Sequence, residues 1–371
     1  MISYTMIITI WLVLTSNTLA WPWSRKVNWD TVSTPVATCS GDILDPSINE
    51  CNGPRRFCYL PVNLYFWLGS HNAGAISPLG CIFWERNQLH SLSKQLSYGS
   101  RILDIDLAKR YGRIHIVHGP RTFGLFENSF QEIWNWVYSA SGEGQVVVVY
   151  LSDNGGGFEA DELDQIIKNV CGVNCGKIHR NAKRNSTWPI LGDLISRDQR
   201  IIISTSKYFQ KYVNDYIDSD GVSHVGSQFL SYNWFTADSY QCGHDSYGEV
   251  LDCAHELCTT DSHPEILIQN FGVWSCDIFG RYNPRVHDVL YSEQGCELEQ
   301  SGAYVSVLLN WFTTLGEDNV RNLTIEANDI QLSKARRQHR IPTDSYLDNI
   351  QISNSGSQSY KSLLFIQKLV L

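Results

Sequence analysis

Basic residues are scarce: 29 Lys and Arg stand against 38 Asp and Glu, a formal net charge of -9. That shortage removes the electrostatic footprint of a nucleic-acid binder and any long-range pull toward an anionic lipid surface. Long hydrophobic runs are scarce as well. Past the first twenty residues, no stretch approaches the ~20 apolar residues that a bilayer span takes. No Gly-rich phosphate loop follows the first apolar run, which weakens an open doubly wound sheet as the architecture. Charge is missing altogether from residues 1–20, where an apolar run over 6–14 leads to Thr18-Leu19-Ala20. This segment reads as a secretory signal peptide that lacks the usual basic n-region, so the mature chain is expected to begin near Trp21 and to be secreted or surface-facing.

What remains is long enough for one domain of roughly 250 to 300 residues plus extensions. Eleven cysteines, all beyond the leader, fit an oxidising compartment, and an odd count leaves one over if the rest pair. Two sequons, at Asn185 and Asn322, agree with export and are expected on the surface. The stretch Cys253-Ala254-His255-Glu256-Leu257-Cys258, with Cys242 and His244 nearby, has a zinc-like look. In an exported chain disulfides are the expected use of these cysteines. Cys171 and Cys175 are expected to pair, with each other or with a neighbour.

Residues 21–57 show no clean period and read as an N-terminal extension stapled onto the main domain. From residue 62 onward, eight short apolar runs (62–68, 101–107, 114–118, 146–151, 201–205, 229–232, 265–269 and 304–311) alternate with longer mixed segments. Several are continuously apolar, as strands buried on both faces are. They predict an α/β fold, a distorted TIM-type (β/α)8 barrel over 58–340. Helices are clearest at 86–96, 130–139 and 160–170, with a charged one over 317–340. Only 109–113 separate the second and third runs, too few for a helix, so the barrel is expected to be irregular. Residues 341–371 form a polar tail with an apolar end containing Lys368, either a lipid-anchor signal or a disordered or docked terminus.

The chemistry gathers at the ends of these runs. His71 and His118 each close an apolar run beside Asn72 and Gly119, and imidazoles titrate near working pH, which suits general acid and base roles. Asp104 and Asp106 lie two apart on one predicted strand, so both face the same side. Two carboxylates facing a barrel interior repel unless a cation or a proton intervenes. Asn72 adds an amide oxygen and Asp153 a third carboxylate at the next strand end. This donor set suits a hard cation, Ca2+ or Mg2+. The pattern points to an enzyme acting on a phosphodiester.

Ser70-His71-Asn72, Arg101-Ile102-Leu103-Asp104-Ile105-Asp106, Val117-His118-Gly119 and Val149-Tyr150-Leu151-Ser152-Asp153-Asn154 resemble the X-region motifs of phosphatidylinositol-specific phospholipase C and its secreted phospholipase-C-like phosphodiesterase relatives. Asn87-Gln88 and Gln95-Leu96, before Gly99-Ser100-Arg101, are similar to the secreted relatives, and Val307-Leu308-Leu309-Asn310-Trp311-Phe312 is weakly similar to the family's last strand. The resemblance implies His71 and His118 as the catalytic pair. It also implies Asn72, Asp104, Asp106 and Asp153 as calcium ligands, because the metal-independent branch has an aspartate and an arginine where this chain has Asn72 and Asp106. The family's phosphoinositide enzymes carry lysines after the fifth strand that grip ring phosphates, whereas Ile203-Ser204-Thr205-Ser206-Lys207 offers only Lys207. The implied partner is a phospholipid or other phosphodiester substrate. Aromatic loops at 82–84 and 123–126 either contact a membrane surface beside the site or simply pack against the domain. A glycerophosphodiesterase, a phospholipase-D-type lyase and a non-catalytic lipid- or phosphate-binding barrel are the alternatives, and oligomeric state is left open.

Overall fold

The computed structural model describes residues 47–76, 87–184, 186–207, 209–235, 237–239, 242, 247–259, 265–271, 286–301, 303–310, 312–338 and 341, with backbone alone at 153–155, 237–239 and 269–271. All fall within one compact unit, 34–371.

In chain order the strands are β1 (Leu68–Ser70), β2 (Ile102–Arg110), β3 (Arg113–His118), β4 (Arg121–Leu125), β5 (Val147–Gly156), β6 (Ile178–His179), β7 (Ile201–Thr205), β8 (Tyr216–Ile217), β9 (Ser223–His224), β10 (Leu230–Tyr232), β11 (Ala237–Ser239), β12 (Glu265–Phe271) and β13 (Tyr304–Leu309). The main sheet runs β10-β7-β5-β2-β1-β13-β12-β11, with every pair along that path parallel. Read around the curve, these eight strands follow chain order, the arrangement of a TIM-type barrel. Among the described residues the ladder is open between β10 and β11, which are joined by only residues 233–236.

Eight strands were expected, but one of the eight differs. Residues 114–118 do not enter the barrel: as β3 they pair antiparallel with β2 and with β4. The turn between β2 and β3 is Tyr111-Gly112, both at positive φ (53° and 75°), a two-residue turn whose twist folds the chain straight back. The vacant place belongs to β11, whose Ala237-Asp238-Ser239 is too short and polar to show as an apolar run. The first run is also displaced. Pro61 accepts from the amides of Leu64 and Tyr65, which makes 62–64 a 3-10 turn, so the strand starts at Leu68.

Helices α1 (Leu92–Ser97), α2 (Phe126–Val137), α3 (Ala160–Cys171), α4 (Leu191–Ser196), α5 (Tyr247–Thr259), α6 (Val286–Tyr291) and α7 (Glu317–Arg337) follow. In α3, Ala160, Leu163, Ile167 and Cys171 fall on one face at helical spacing and are buried, and Glu159 and Glu162 close a capping box at its start. That face joins Leu103, Ile105, Val147, Val149, Ile201 and Ile203 in a core layer outside the sheet. The barrel interior is a second layer, with Trp67, Ile102, Val148, Ile202 and Leu308.

The described part of the N-terminal extension closes the barrel at the strand starts. Cys51, Phe57 and Cys58 are fully buried in the interior layer, and Cys51 is bonded to Cys58. The Asn52 amide donates to Val146 O at 3.0 Å and accepts from Val146 N at 2.6 Å, which satisfies backbone groups that begin β5. Asn328 of α7 does the same for Phe66, and Arg56 pairs with Asp329 at 2.5 Å. Three further disulfides are Cys171–Cys175, Cys242–Cys253 and Cys258–Cys296, so the zinc-like cysteines are cystines. Among the described residues no helix is long and apolar enough to cross a membrane.

Candidate active site

Register places the acids. Ile102, Val148 and Ile202 lie level across β2, β5 and β7, and all three are in the interior layer. Two residues further along, Asp104, Tyr150 and Ser204 are level, and two beyond that Asp106 faces Ser152. Side chains alternate along a strand, so Asp104 and Asp106 both point into the barrel at its C-terminal end. Ser152 joins them: its hydroxyl lies 2.8 Å from Asp104 Oδ1 and 2.5 Å from Asp106 Oδ1. One hydroxyl hydrogen can donate to only one carboxylate at a time, which leaves a repulsion that a shared proton or a cation would relieve. Burial pushes Asp104 up to about 6, and burial plus the Asp104 charge push Asp106 up to about 6.

His71 follows β1 and donates its backbone amide to Leu309 O on β13 at 3.0 Å. Its Nδ1 is 2.9 Å from Asn310 Oδ1, an oxygen that also accepts from Asn87 Nδ2 at 2.7 Å. Because that oxygen only accepts, His71 Nδ1 carries the hydrogen and Nε2 holds the lone pair. Nε2 faces Asp104 Oδ2 at 3.6 Å. Burial pulls the His71 pKa down to about 4, so the ring is neutral near pH 7. Asn72, at φ 45°, turns the chain so that its amide donates to Asp104 Oδ2 at 3.1 Å while its side-chain nitrogen sits 3.3 Å from both His71 ring nitrogens. Gln88, fully buried, fixes this corner by donating to His71 O and Leu309 O and accepting from Phe312 N.

His118 arrives by a different route. It ends β3, opposite Arg121 across the tight turn at Gly119, and its charge acts on His71, Asp104 and Asp106. The hairpin that fails to become a barrel strand is therefore what carries the second histidine over the barrel mouth.

The structure thus brings His71, Asn72, Asp104, Asp106 and His118 into one electrostatic cluster. Asp153 has its backbone in β5 opposite Leu107, and its side chain lies outside the described residues. Among the described residues no group of three or more His, Cys, Asp or Glu could hold a metal ion. The two carboxylates still fit a hard cation, since a positive charge would remove the repulsion that raises both of them. Lys207 is exposed just past β7, at the same barrel end. Asn322 is exposed on α7, and Asn185 lies outside the described residues. Ser152, Asn310, Asn87 and Gln88 are site residues that sequence reasoning gave no role, although all four stand inside the motifs it used.

The aromatic loops need correction. Phe126 is fully buried and Phe123 is half-buried against the outer core, so both rings pack, while Gly124 is exposed and 82–84 lie outside the described residues.

A comparison with protein families matches residues 63–245 to the PI-PLC X model, described as PI-PLC X 1. No curated protein matches in sequence. Among solved structures, phosphatidylinositol-specific phospholipase C from Listeria monocytogenes is similar at 15% identity and a TM-score of 0.47, covering 74% of this chain and 97% of that one. A variant of the Staphylococcus aureus enzyme gives 14%, 0.46, 73% and 93%.

Proposed function

We propose, from the match of residues 63–245 to the PI-PLC X model, that the chain is a phosphoric diester hydrolase of the phospholipase C type, acting on phosphatidylinositol or a related phospholipid. The observation that carries the reading is the cluster itself: a neutral histidine of fixed tautomer, a second histidine and two buried acids at the C-terminal barrel end, where barrel enzymes keep their chemistry.

In this reading His71 Nε2 takes the proton from the attacking hydroxyl of the head group. That oxygen forms a bond to phosphorus and closes a cyclic phosphodiester on the head group as the bond from phosphorus to the lipid oxygen breaks, and His118 gives the lipid oxygen its proton; water then opens the cycle with the two histidines in reversed roles. Asn310 keeps the His71 lone pair aimed inward. Asp104, Asp106, Asn72 and Asp153 would hold Ca2+ or Mg2+, which supplies charge neutralisation at the phosphoryl oxygens and a more acidic hydroxyl. The disulfides support an oxidising, extracellular setting.

The test is hydrolysis of a phospholipid panel by the purified protein, with and without chelator, with identification of the released head group. His71→Ala and His118→Ala should abolish release while leaving the fold intact. Wild-type turnover in both variants overturns the proposal, and release of a phosphate-free head group points instead to a D-type cut.

A further inference from the structure

Two nitrogens converge on Asn310 Oδ1: Asn87 Nδ2 at 2.7 Å and His71 Nδ1 at 2.9 Å. Both lone pairs of that oxygen are thereby used. The Asn87 backbone is anchored. Its amide donates to Ala75 O at 3.0 Å, in the turn that follows His71 and Asn72, and the next residue, Gln88, is tied to His71 O, Leu309 O and Phe312 N. The Asn87 side chain therefore meets Asn310 from a backbone with little freedom to swing away.

A carboxamide keeps nearly the same shape when turned over, with oxygen and NH2 exchanged. Facing His71 alone, Asn310 would accept either arrangement: its oxygen toward Nδ1 when the ring hydrogen is there, or its NH2 toward Nδ1 when the hydrogen is on Nε2. The second arrangement has an attraction of its own, because a hydrogen on Nε2 would face Asp104 Oδ2, 3.6 Å away. It would also leave Nε2 with no lone pair to take a proton. Asn87 opposes it. Its Nδ2 only donates, so a turned Asn310 would set NH2 against NH2 across 2.7 Å. Turning Asn87 in step brings no relief: its Oδ1 is buried and meets no donor among the described residues. Placing an NH2 there would leave two buried hydrogens unpartnered in place of one oxygen.

We propose that Asn87 is a positioning residue that sets the tautomer of His71 through Asn310. Its importance for turnover rests on the reading of His71 as the base; the lock on the ring does not. Such a lock is needed because residue 310 is an amide. A carboxylate there would offer oxygen on either side and hold the hydrogen on Nδ1 without help.

The experiment is nitrogen-15 NMR of the full chain at mildly alkaline pH, where ring-nitrogen shifts separate a protonated nitrogen from one with a lone pair. The His71 signals are those lost in His71→Ala. Hydrolysis of phosphatidylinositol is measured on the same variants. Wild type should carry the hydrogen on Nδ1. Asn87→Leu, which removes the donor at similar shape, should populate the Nε2–H form and lower kcat roughly two- to tenfold as the competent share falls, with KM little changed. Asn87→Asp, isosteric but accepting only, should turn Asn310 over and move the hydrogen to Nε2, with kcat down roughly 10- to 100-fold. Adding Asn310→Asp to Asn87→Leu should return the hydrogen to Nδ1 and restore most of kcat, a rescue that a merely structural role would not give. Either Asn87 variant alone decides, so misfolding of one does not shield the proposal. An Nδ1 hydrogen unmoved in the Asn87 variants, or a loss that Asn310→Asp does not repair, overturns it. A tautomer that moves in a protein without hydrolysis fails the enzyme reading alone, and hydrolysis with an unmoved tautomer fails the lock alone.

Discussion

Asn310 Oδ1 lies 2.9 Å from His71 Nδ1, across 239 positions of sequence, at the seam where β13 closes onto β1. The contact decides which ring nitrogen carries the hydrogen, and so which one can take a proton. Asn310→Ala is expected to lower kcat roughly 10- to 100-fold, within the usual contribution of a positioned base, with KM little changed. Asn310→Gln should recover less than wild type, because its oxygen is carried one methylene further out. A rise in KM with kcat intact would show that Asn310 holds substrate instead of the ring.

Ser152 bridging Asp104 and Asp106 yields a prediction about calcium. Millimolar calcium should raise the melting temperature of the wild-type protein, because a ligand that binds only the folded state stabilises it. Asp104→Asn and Asp106→Asn should abolish that rise. In chelator, each variant should match or exceed wild type by about 1 kcal/mol, since one of two repelling buried carboxylates is gone. Calorimetry with and without calcium reads both effects, and an undiminished calcium response in both variants removes these aspartates from the metal site.

The parts of the fold that were legible in the sequence were those with a continuous apolar signal. Residues 147–151 and 201–203 read as buried strands because both faces are covered, and α3 read as a helix because its buried positions recur at helical spacing. The run 114–118 was legible as a strand but not as a hairpin arm, because its partner is decided by the Tyr111-Gly112 turn. β11 was illegible: its three residues owe their extended form to pairing with β12. In the site, spacing along one strand exposed Asp104 and Asp106. Asn310, Asn87 and Gln88 escaped, because what makes them matter is arrival beside His71 from elsewhere in the chain, and an amide carries no pattern that announces it.

Lys334 is buried in α7, donates to Ala303 O at 2.5 Å and lies over the Tyr304 ring. Burial, with a smaller effect from Arg337, lowers its pKa from 10.5 to about 7. Between those two values the unfolded chain binds the proton that the folded protein has lost, so stability rises with pH across this window. Below pH 7 the full cost of burying the charge is present. Lys334→Met should therefore be the more stable protein near pH 6, by on the order of 2 kcal/mol after loss of the hydrogen bond. The advantage should shrink as pH approaches 10. Urea midpoints at pH 6, 8 and 9.5 check it, and a difference independent of pH would show that the buried Lys334 keeps its proton throughout and has no lowered pKa.

Gly69, in the middle of β1, sits where β1 and β2 approach too closely for any side chain. A Cβ there would stand 1.9 Å from Ile102 O and 2.5 Å from Ile102 Cγ2. The obstacle is strand backbone, which cannot swing away as a side-chain tip can, and Ile102 is held between β1 and β5. Gly69→Ala should therefore cost at least about 3 kcal/mol, the upper range for overpacking a core. The damage falls two residues from His71, so activity should fall even in the fraction that folds. Gly112→Ala serves as the comparison: unlike Gly69 it has a positive φ, 75°, but nothing lies within 4 Å of its added carbon, and it should lose only about 1 kcal/mol from backbone strain. Thermal denaturation of the two variants side by side gives the answer, and equal losses would mean that the close approach of β1 to β2 is not what requires glycine at position 69.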